Sequence, residues 1–332
     1  MGKKKTPKII EPLDLSVLHE QVVPVLLEDS MAEAGRKILL RNFVQMLSHE
    51  PGARTGEEIE NVHQMRVATR RMRSAFRVFK PYYKTKVVQS FVKSLKTIAD
   101  ALGVIRDLDV MIDDLEQHQA KLAQPDQPAH QATIDQLNAR RDKTRGKLIV
   151  LLDSDAYQQF VQVYANFLTQ PGKGLKGMDT GGINPYQVRH VVPVVIHHYL
   201  ANVRAYDVVI ENAELATLHA LRIDFKQLRY TIAHFSDVLG TTSQQFIKDI
   251  KTMQDYLGRL NDIRVARPYL KPYLKGKRAA FLDDVSKVAL QTYLVMLKDE
   301  ETQRYIDFPE AWAKFNTRTV QRKLADSLLV LR

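Results

Sequence analysis

The segment VHQMRVATRRMRSAFRVF, from Val62 to Phe79, decides the fold predicted for this chain. On a helical wheel that advances about 100° per residue, its basic and apolar side chains separate onto opposite faces. The basic face carries His63, Arg66, Arg70, Arg73 and Arg77. The apolar face carries Met65, Met72, Phe76 and Phe79. The spacing therefore predicts an amphipathic helix whose apolar face packs into a core.

A second segment, LHALRIDFKQLRYTIAHF from Leu218 to Phe235, aligns with the first without gaps at an offset of 156 residues. Its basic face carries His219, Arg222, Lys226 and Arg229. Its apolar face carries Leu221, Leu228, Ile232 and Phe235. Ala233 stands where the first segment has Arg77, so the second basic stripe is one position shorter. The same amphipathic helix is thus predicted twice.

Two further segments align at nearly the same offset, LKTIADALGVIRDLDV from Leu95 and IKTMQDYLGRLNDIRV from Ile250. A short basic row begins two residues before each segment and runs into it, formed by Lys93 and Lys96 in the first copy and by Lys248 and Lys251 in the second. If the two helices of each copy are antiparallel neighbours, these rows could line one groove with the stripes. Two blocks at almost one offset predict two copies of one helical unit.

Helical periodicity covers most of the chain and strand-like alternation is scarce, which predicts an all-α fold of two pseudo-symmetric helical bundles. The expected halves are residues 17–170 and 186–332. Between them, residues 171–185 form a linker rich in glycine and proline. Residues 1–16 are expected to form a disordered basic tail.

Composition narrows the possible functions. The chain has 332 residues, no cysteine and a formal net charge of +11. The absence of cysteine excludes disulfides, cysteine-ligated metal centres and a cysteine nucleophile. The most apolar run, Val191 to Ile196, is too short to span a bilayer, so we expect a soluble cytoplasmic protein without a membrane span. The positive charge attracts polyanions and leaves nucleic acid, anionic membranes and polyphosphate open.

The basic stripes allow two interpretations, the solvated face of an amphipathic helix and an anion-binding surface. A solvated face usually mixes charges, because like charges at a spacing of four residues destabilise a helix. The stripes hold no acidic residue and occur twice, which favours anion binding. Thr55 with Glu58, and Asn212, are predicted helix caps that place His63 and His219 about two turns into their helices. Whether these histidines contact a ligand or are structural stays open.

The motif H-x-x-R-V/I-x-x-R/K-x-x-R, followed by L-G-x-x-R/N-D-x-x-V, occurs in each half and resembles the CHAD family, the conserved histidine α-helical domain. The resemblance implies two pseudo-symmetric helical bundles that bind inorganic polyphosphate, often in proteins found at polyphosphate granules. It also implies a set of phosphate contacts, namely His63, Arg66, Arg70, Arg73, Lys93, Lys96, His219, Arg222, Lys226, Arg229, Lys248 and Lys251. The first basic stripe adds Arg77 to this set.

Motifs for other chemistry are missing from the sequence. There is no P-loop, no G-x-S-x-G motif and no histidine pair at metal-binding spacing, so neither a metal nor a cofactor is predicted. Asp107 and Asp109 are expected to cap a helix or pair with Arg106.

We therefore predict non-catalytic binding of inorganic polyphosphate. Nucleic-acid binding is the alternative, and an enzyme acting on polyphosphate is a weaker one. Tyr230 is the one aromatic residue on the basic faces, which favours a ligand without bases. The oligomeric state is not predicted.

Overall fold

The computed structural model of the protein describes residues 13–122, 127–177 and 185–332. Within these ranges the regular secondary structure is helical, and β-pairing is limited to two isolated bridges, Ser30 with Gln187 and Tyr83 with Leu175. The all-α prediction is confirmed. The predicted tail lies outside the described residues up to residue 12, and a helix begins at Leu15.

Helices alternate with short turns in both halves. The described residues of the first half form α1 (Leu15–Glu20), α2 (Met31–Ser48), α3 (Glu50–Thr55), α4 (Ile59–Phe79), α5 (Thr85–Gln119), α6 (Gln131–Leu152) and α7 (Asp155–Thr169). Those of the second half form α8 (Val188–Arg204), α9 (Leu215–His234), α10 (Thr242–Leu270), α11 (Gly276–Ala279), α12 (Asp284–Phe315) and α13 (Arg318–Leu328). None of the described helices combines the length and the apolar character needed to cross a bilayer.

Local sequence explains where many of these helices begin. The side chains of Ser30, Ser154, Asp283 and Thr317 each accept a hydrogen bond from a backbone amide in the first turn of the helix that follows. Such N-caps satisfy amide groups that have no partner within the helix. The helices that bear the basic stripes, α4 and α9, have no side-chain cap of this kind.

The predicted caps of the basic helices are wrong. Thr55 is the last residue of α3, which Gly56 ends in the left-handed conformation at φ 71°. The N-caps of α4 and α9 are Glu58 and Glu214, so Asn212 is not a cap. The sequence EPGARTG forms a short helix of its own because Pro51 suits its first turn and Gly56 its end. His63 and His219 consequently lie about one turn into their helices rather than two.

The apolar faces predicted for the two basic helices are buried. Met65 and Met72 of α4 have no exposed surface, and neither have Leu221 and Leu228 of α9. The main hydrophobic core contains residues from both halves of the chain. A second core joins the later parts of α5 and α10 to the early parts of α6 and α12. The halves therefore share their cores, and their origin as two copies of one unit stays a prediction.

The predicted linker begins as ordered chain. The amide of Lys84 donates a hydrogen bond to the carbonyl of Gly174 at 2.9 Å, and the amide of Lys176 donates to the carbonyl of Tyr82 at 3.0 Å. These bonds attach residues 174–176 to the turn between α4 and α5. Residues 178–184 of the predicted linker lie outside the described residues.

Candidate functional site

The two basic helices, α4 and α9, cross each other, and both contribute residues to the main core. At the crossing the hydroxyl of Ser74 on α4 donates a hydrogen bond to the buried amide oxygen of Gln227 on α9 at 3.2 Å. A cleft of about 280 Å³ opens beside this contact, and we call it the α4 cleft. Its lining consists of Arg66, Arg70, Arg73, Ser74 and Arg77 of α4, Ala99 and Asp100 of α5, and Ile223, Lys226, Gln227 and Tyr230 of α9.

Five of the residues predicted from the sequence meet in the α4 cleft: Arg66, Arg70, Arg73, Arg77 and Lys226. Arg66 has a carboxylate neighbour, since its Nη2 lies 4.0 Å from Oδ1 of Asp107. Within the described part of the chain, the other four have no carboxylate within 4.0 Å. The cleft thus concentrates positive charge that the protein itself neutralises only in part.

Lys226 is buried among these arginines. Burial first, and then the positive charges of Arg70, Arg222 and Arg66, lower the pKa of its amine to about 6, against the opposing effect of Asp262. Burial also lowers the pKa of Arg66, with Arg70 as the next cause. A bound anion would reverse this effect on Lys226, because an opposite charge nearby favours the protonated amine.

The ring of Tyr230 lies near an arginine of each basic helix, Arg70 of α4 and Arg229 of α9. This buried ring lies 5.9 Å from the guanidinium carbon of Arg70 and 5.2 Å from that of Arg229. Both distances fall within the range of cation–π attraction. The ring therefore holds guanidinium groups, and its burial leaves little of its face for stacking on a nucleic-acid base.

The expectation that the basic faces lack acid holds for single helices but not for the assembled site. Asp100 of α5 lines the α4 cleft, and Asp107 of the same helix approaches Arg66. Asp107 lies inside α5, so it is not a cap, and its ion-pair partner is Arg66 rather than Arg106. The helical wheel misses these acids because they come from a neighbouring helix.

The remaining basic residues of α9 are not among the described residues that line the α4 cleft, although Arg222 is close enough for its charge to act on Lys226. His219 and Arg222 line a narrow recess together with Asn261 and Arg264 of α10. Arg229 lines a different cleft, into which Arg71 of α4 also projects. The second stripe is therefore divided between three places, and only Lys226 joins the row of α4.

The lysines of the second basic rows are exposed. Lys93 and Lys96 lie on α5 outside the cleft lining, and Lys96 precedes Ala99 and Asp100 of the lining by one helical turn. Lys248 and Lys251 lie on α10, on the face that carries Gln244 and Ile247 of the other cleft. The rows do not line one common groove with the stripes.

The two histidines differ in their surroundings. His63 is partly buried, and burial together with the nearby Arg106 lowers its pKa. Its Nδ1 is buried and has no hydrogen-bond partner among the described residues. His219 is exposed. Equal positions in the repeated motif thus give unequal environments.

Sequence reasoning missed several groups that the fold brings together. Arg41, Arg71 and His234 share the cleft that Arg229 lines, although they belong to three different helices. His118 and His130 lie twelve residues apart, and their ring nitrogens approach to 2.8 Å. The described residues contain no cluster of three or more histidine, cysteine or acidic side chains able to hold a metal ion. These contacts are non-local, so periodicity within one helix gave no signal for them.

Comparison with known proteins identifies relatives of this chain. The model of the CHAD domain matches residues 37–271. Two uncharacterized proteins of Mycobacterium tuberculosis are 25% and 24% identical to this chain over 212 residues. These residues are 63% of this chain and 39% of each relative. The chain thus spans about two fifths of the length of these curated relatives.

Solved structures agree with this assignment at the level of the fold. The crystal structure of the CHAD domain from the plant Ricinus communis has a TM-score of 0.70 at 19% identity and covers 88% of this chain and 94% of its own. PptA from Streptomyces chartreusis has a TM-score of 0.64 at 12% identity, with coverage of 86% and 100%. With the family model matching more than half of its length, the chain belongs to the CHAD-domain family.

Proposed function

We propose that this protein binds inorganic polyphosphate in the α4 cleft and does so without catalysing a reaction of the polymer. The carrying observation is that Arg70, Arg73, Arg77 and Lys226 share one cleft and, among the described residues, have no carboxylate within 4.0 Å. CHAD domains are known generally to bind polyphosphate, which supports the same ligand.

The arrangement of the cations suits a linear polyanion. From Arg66 to Arg77 the row extends eleven residues along α4, or roughly 16 Å at the rise of an α-helix. Lys226 reaches the same cleft from the other half of the chain. Like charges held together repel, and a polymer with one charge on each phosphate would relieve this repulsion along the whole row.

Nucleic acid is the alternative ligand. Proteins that bind single strands usually combine a basic groove with aromatic side chains on which bases stack. Among the described residues that line the α4 cleft, Tyr230 is the one aromatic residue, and its ring is buried beside two guanidinium groups. This favours a ligand that has phosphates and no bases.

Titration of the full chain with long-chain polyphosphate tests the proposal. The variant R70E/K226E replaces two basic residues of the cleft with glutamate and is expected to weaken binding at least about 100-fold, since each lost contact is charge-assisted. The control K143E/K147E replaces two exposed lysines of α6 with glutamate. Melting curves verify that both variants fold. Unchanged affinity of the cleft variant would refute the proposed site.

Three further measurements separate the alternatives. Affinity is expected to fall steeply with salt, with a slope on the order of −0.7 per phosphate contact on a flexible strand. Single-stranded DNA and triphosphate are expected to compete poorly with the long polymer, and a DNA competitor as strong as polyphosphate would favour the nucleic-acid alternative. Release of phosphate from polymer incubated with the protein would contradict a non-catalytic role. A cytoplasmic location at polyphosphate granules is part of the proposal.

A further inference from the structure

A second cleft, of about 310 Å³, lies beside the same crossing of α4 and α9. We propose that it is a separate site for a compact phosphate anion, of the size of orthophosphate or pyrophosphate. We call it the α2 cleft, because α2 forms one of its walls through Arg41. Its further polar lining includes Arg71 of α4, and Arg229 and His234 of α9. No carboxylate is among the described residues that line it.

The guanidinium groups of the α2 cleft converge from three helices. Arg41 pairs with Asp237, with Nη2 and Oδ2 2.5 Å apart. Arg71 and Arg229 have no carboxylate within 4.0 Å among the described residues, and the buried Nε of each makes no hydrogen bond there. Buried donors without partners are costly, and a ligand with several acceptor oxygens would supply what they lack. The arrangement therefore suits an anion rather than a cation or a neutral molecule.

His234 adds a neutral donor to this cleft. Its side chain is 4% exposed, and its Nε2 has no hydrogen-bond partner within the described ranges. Burial together with the charges of Arg71 and Arg41 lowers its pKa to about 3, so the ring is neutral at physiological pH. In the tautomer with a proton on Nε2, it can donate to a phosphate oxygen without adding a further positive charge. Sequence spacing gave no indication of this group, because no basic stripe includes it.

The geometry of the two clefts distinguishes their ligands. In the α4 cleft the arginines follow one another along a single helix, which matches a linear chain. In the α2 cleft they point toward one volume from α2, α4 and α9, which matches a compact ion with acceptors on several sides. Tyr230 lines both clefts, and its ring lies between Arg70 of the first and Arg229 of the second. The two sites therefore share a wall, but each has its own arginines.

The proposal is tested with inorganic pyrophosphate and the full chain. Arg71 and Arg73 lie two residues apart on α4 and face different clefts, so R71Q and R73Q are matched variants. R71Q is expected to weaken pyrophosphate binding at least about tenfold and to leave affinity for long-chain polyphosphate within about threefold. R73Q is expected to do the reverse. A loss of pyrophosphate binding in R73Q but not in R71Q would assign the anion to the polymer site.

A second measurement follows the binding of pyrophosphate to the wild-type protein. The imidazole resonances of His234, assigned by their loss in H234Q, are expected to shift when pyrophosphate is added to the wild-type protein. The shift should saturate, and it should persist with long-chain polyphosphate already bound. No shift at millimolar pyrophosphate would overturn the proposal, and so would displacement of pyrophosphate by the polymer. Polymer binding lost in R73Q together with an unmoved His234 would preserve the proposed function and refute the second site alone.

Discussion

The helices α4 and α9 carry cations at the same spacing, yet the fold uses them differently. In α4 the arginines of the basic stripe, Arg66, Arg70, Arg73 and Arg77, line one cleft, whereas the basic residues of the α9 stripe are divided between two clefts and a recess. The aligned residues at the crossing differ as well, since Ser74 of α4 corresponds to Tyr230 of α9. The small serine lines the α4 cleft alone, and the large ring lines both clefts. Equal periodicity therefore does not produce equal sites.

The sharpest test of this comparison replaces two arginines on each helix. R70Q/R73Q removes two cations from the α4 cleft, and R222Q/R229Q removes two from α9 outside it. We expect the first variant to weaken long-chain polyphosphate binding about 100-fold and the second less than about fivefold, because only the first removes charge-assisted contacts to the polymer. Equal losses, measured by titration calorimetry, would show that both stripes bind the polymer.

Lys226 is the residue of α9 that joins the α4 cleft, and it predicts a dependence on pH. Its pKa is about 6 in the free protein, and a bound polyanion raises it. Binding should therefore take up protons above pH 6, and affinity should fall by up to about tenfold per pH unit as the pH rises. Calorimetry in buffers with different ionisation enthalpies counts these protons. K226M should take up fewer protons than the wild type, and an unchanged number would place the linked group elsewhere.

The histidines test whether equivalent positions have equivalent roles. His63 is partly buried beside the arginines of α4, whereas His219 is exposed. We expect H63A to weaken polyphosphate binding about two- to fivefold, the range of a single hydrogen bond, and H219A to have no measurable effect. Titrations of both variants decide this. A larger loss in H219A would mean that the recess on α9 takes part in binding.

The smallest expected effect concerns stability. The pKa of Lys226 is lower in the folded protein than its usual value of 10.5, so the unfolded chain binds more protons between about pH 6 and 10.5. The wild type should therefore gain stability as the pH rises through this window. K226M has no amine that must lose a proton on folding. Its melting temperature is therefore expected to be at least about 2 °C above that of the wild type at pH 7, with the difference shrinking toward pH 10.

The exposed Lys143 provides the matched control for the stability measurement, because K143M makes the same substitution outside the clefts. Its melting temperature should stay close to that of the wild type at each pH. A melting temperature of K226M below that of the wild type would mean that the Lys226 amine stabilises the folded protein. In that case the cations of the α4 cleft would not be held together at a cost in stability.

Much of the fold could be predicted from periodicity. The apolar positions of both basic helices are buried as expected, because residues three and four apart share one face of a helix. The caps were less predictable. Thr55 with Glu58 matches a capping box in sequence, but Pro51 and Gly56 give the preceding residues a helix of their own. The capping-box pattern at Thr55 is overridden by the residues before it, so Thr55 ends α3 and α4 begins only at Ile59.

The site was predictable only within each helix. Arg66, Arg70, Arg73 and Arg77 were predicted as one row, and they line one cleft. The acid Asp100, the inclusion of Lys226 and the exclusion of Arg229 depend on how helices from distant parts of the chain cross. Arg71 points to another cleft because it lies about 100° around α4 from Arg70. A helical wheel shows the residues of one helix, so it carries no information about the helix that forms the opposite wall of a cleft.

The sequence by itself determined the helical class, the buried faces, the basic stripes and the family motif, because each depends on residues within a few turns of one another. Only the tertiary structure decided which cations share a cleft, which acids approach them and how His234 meets Arg71. Those relations join segments of the chain that are up to about 190 residues apart, as between Arg41 and Arg229. The direction in which a side chain points from a helix is fixed by the local sequence. The residues that it meets there are decided by how distant helices pack across the core.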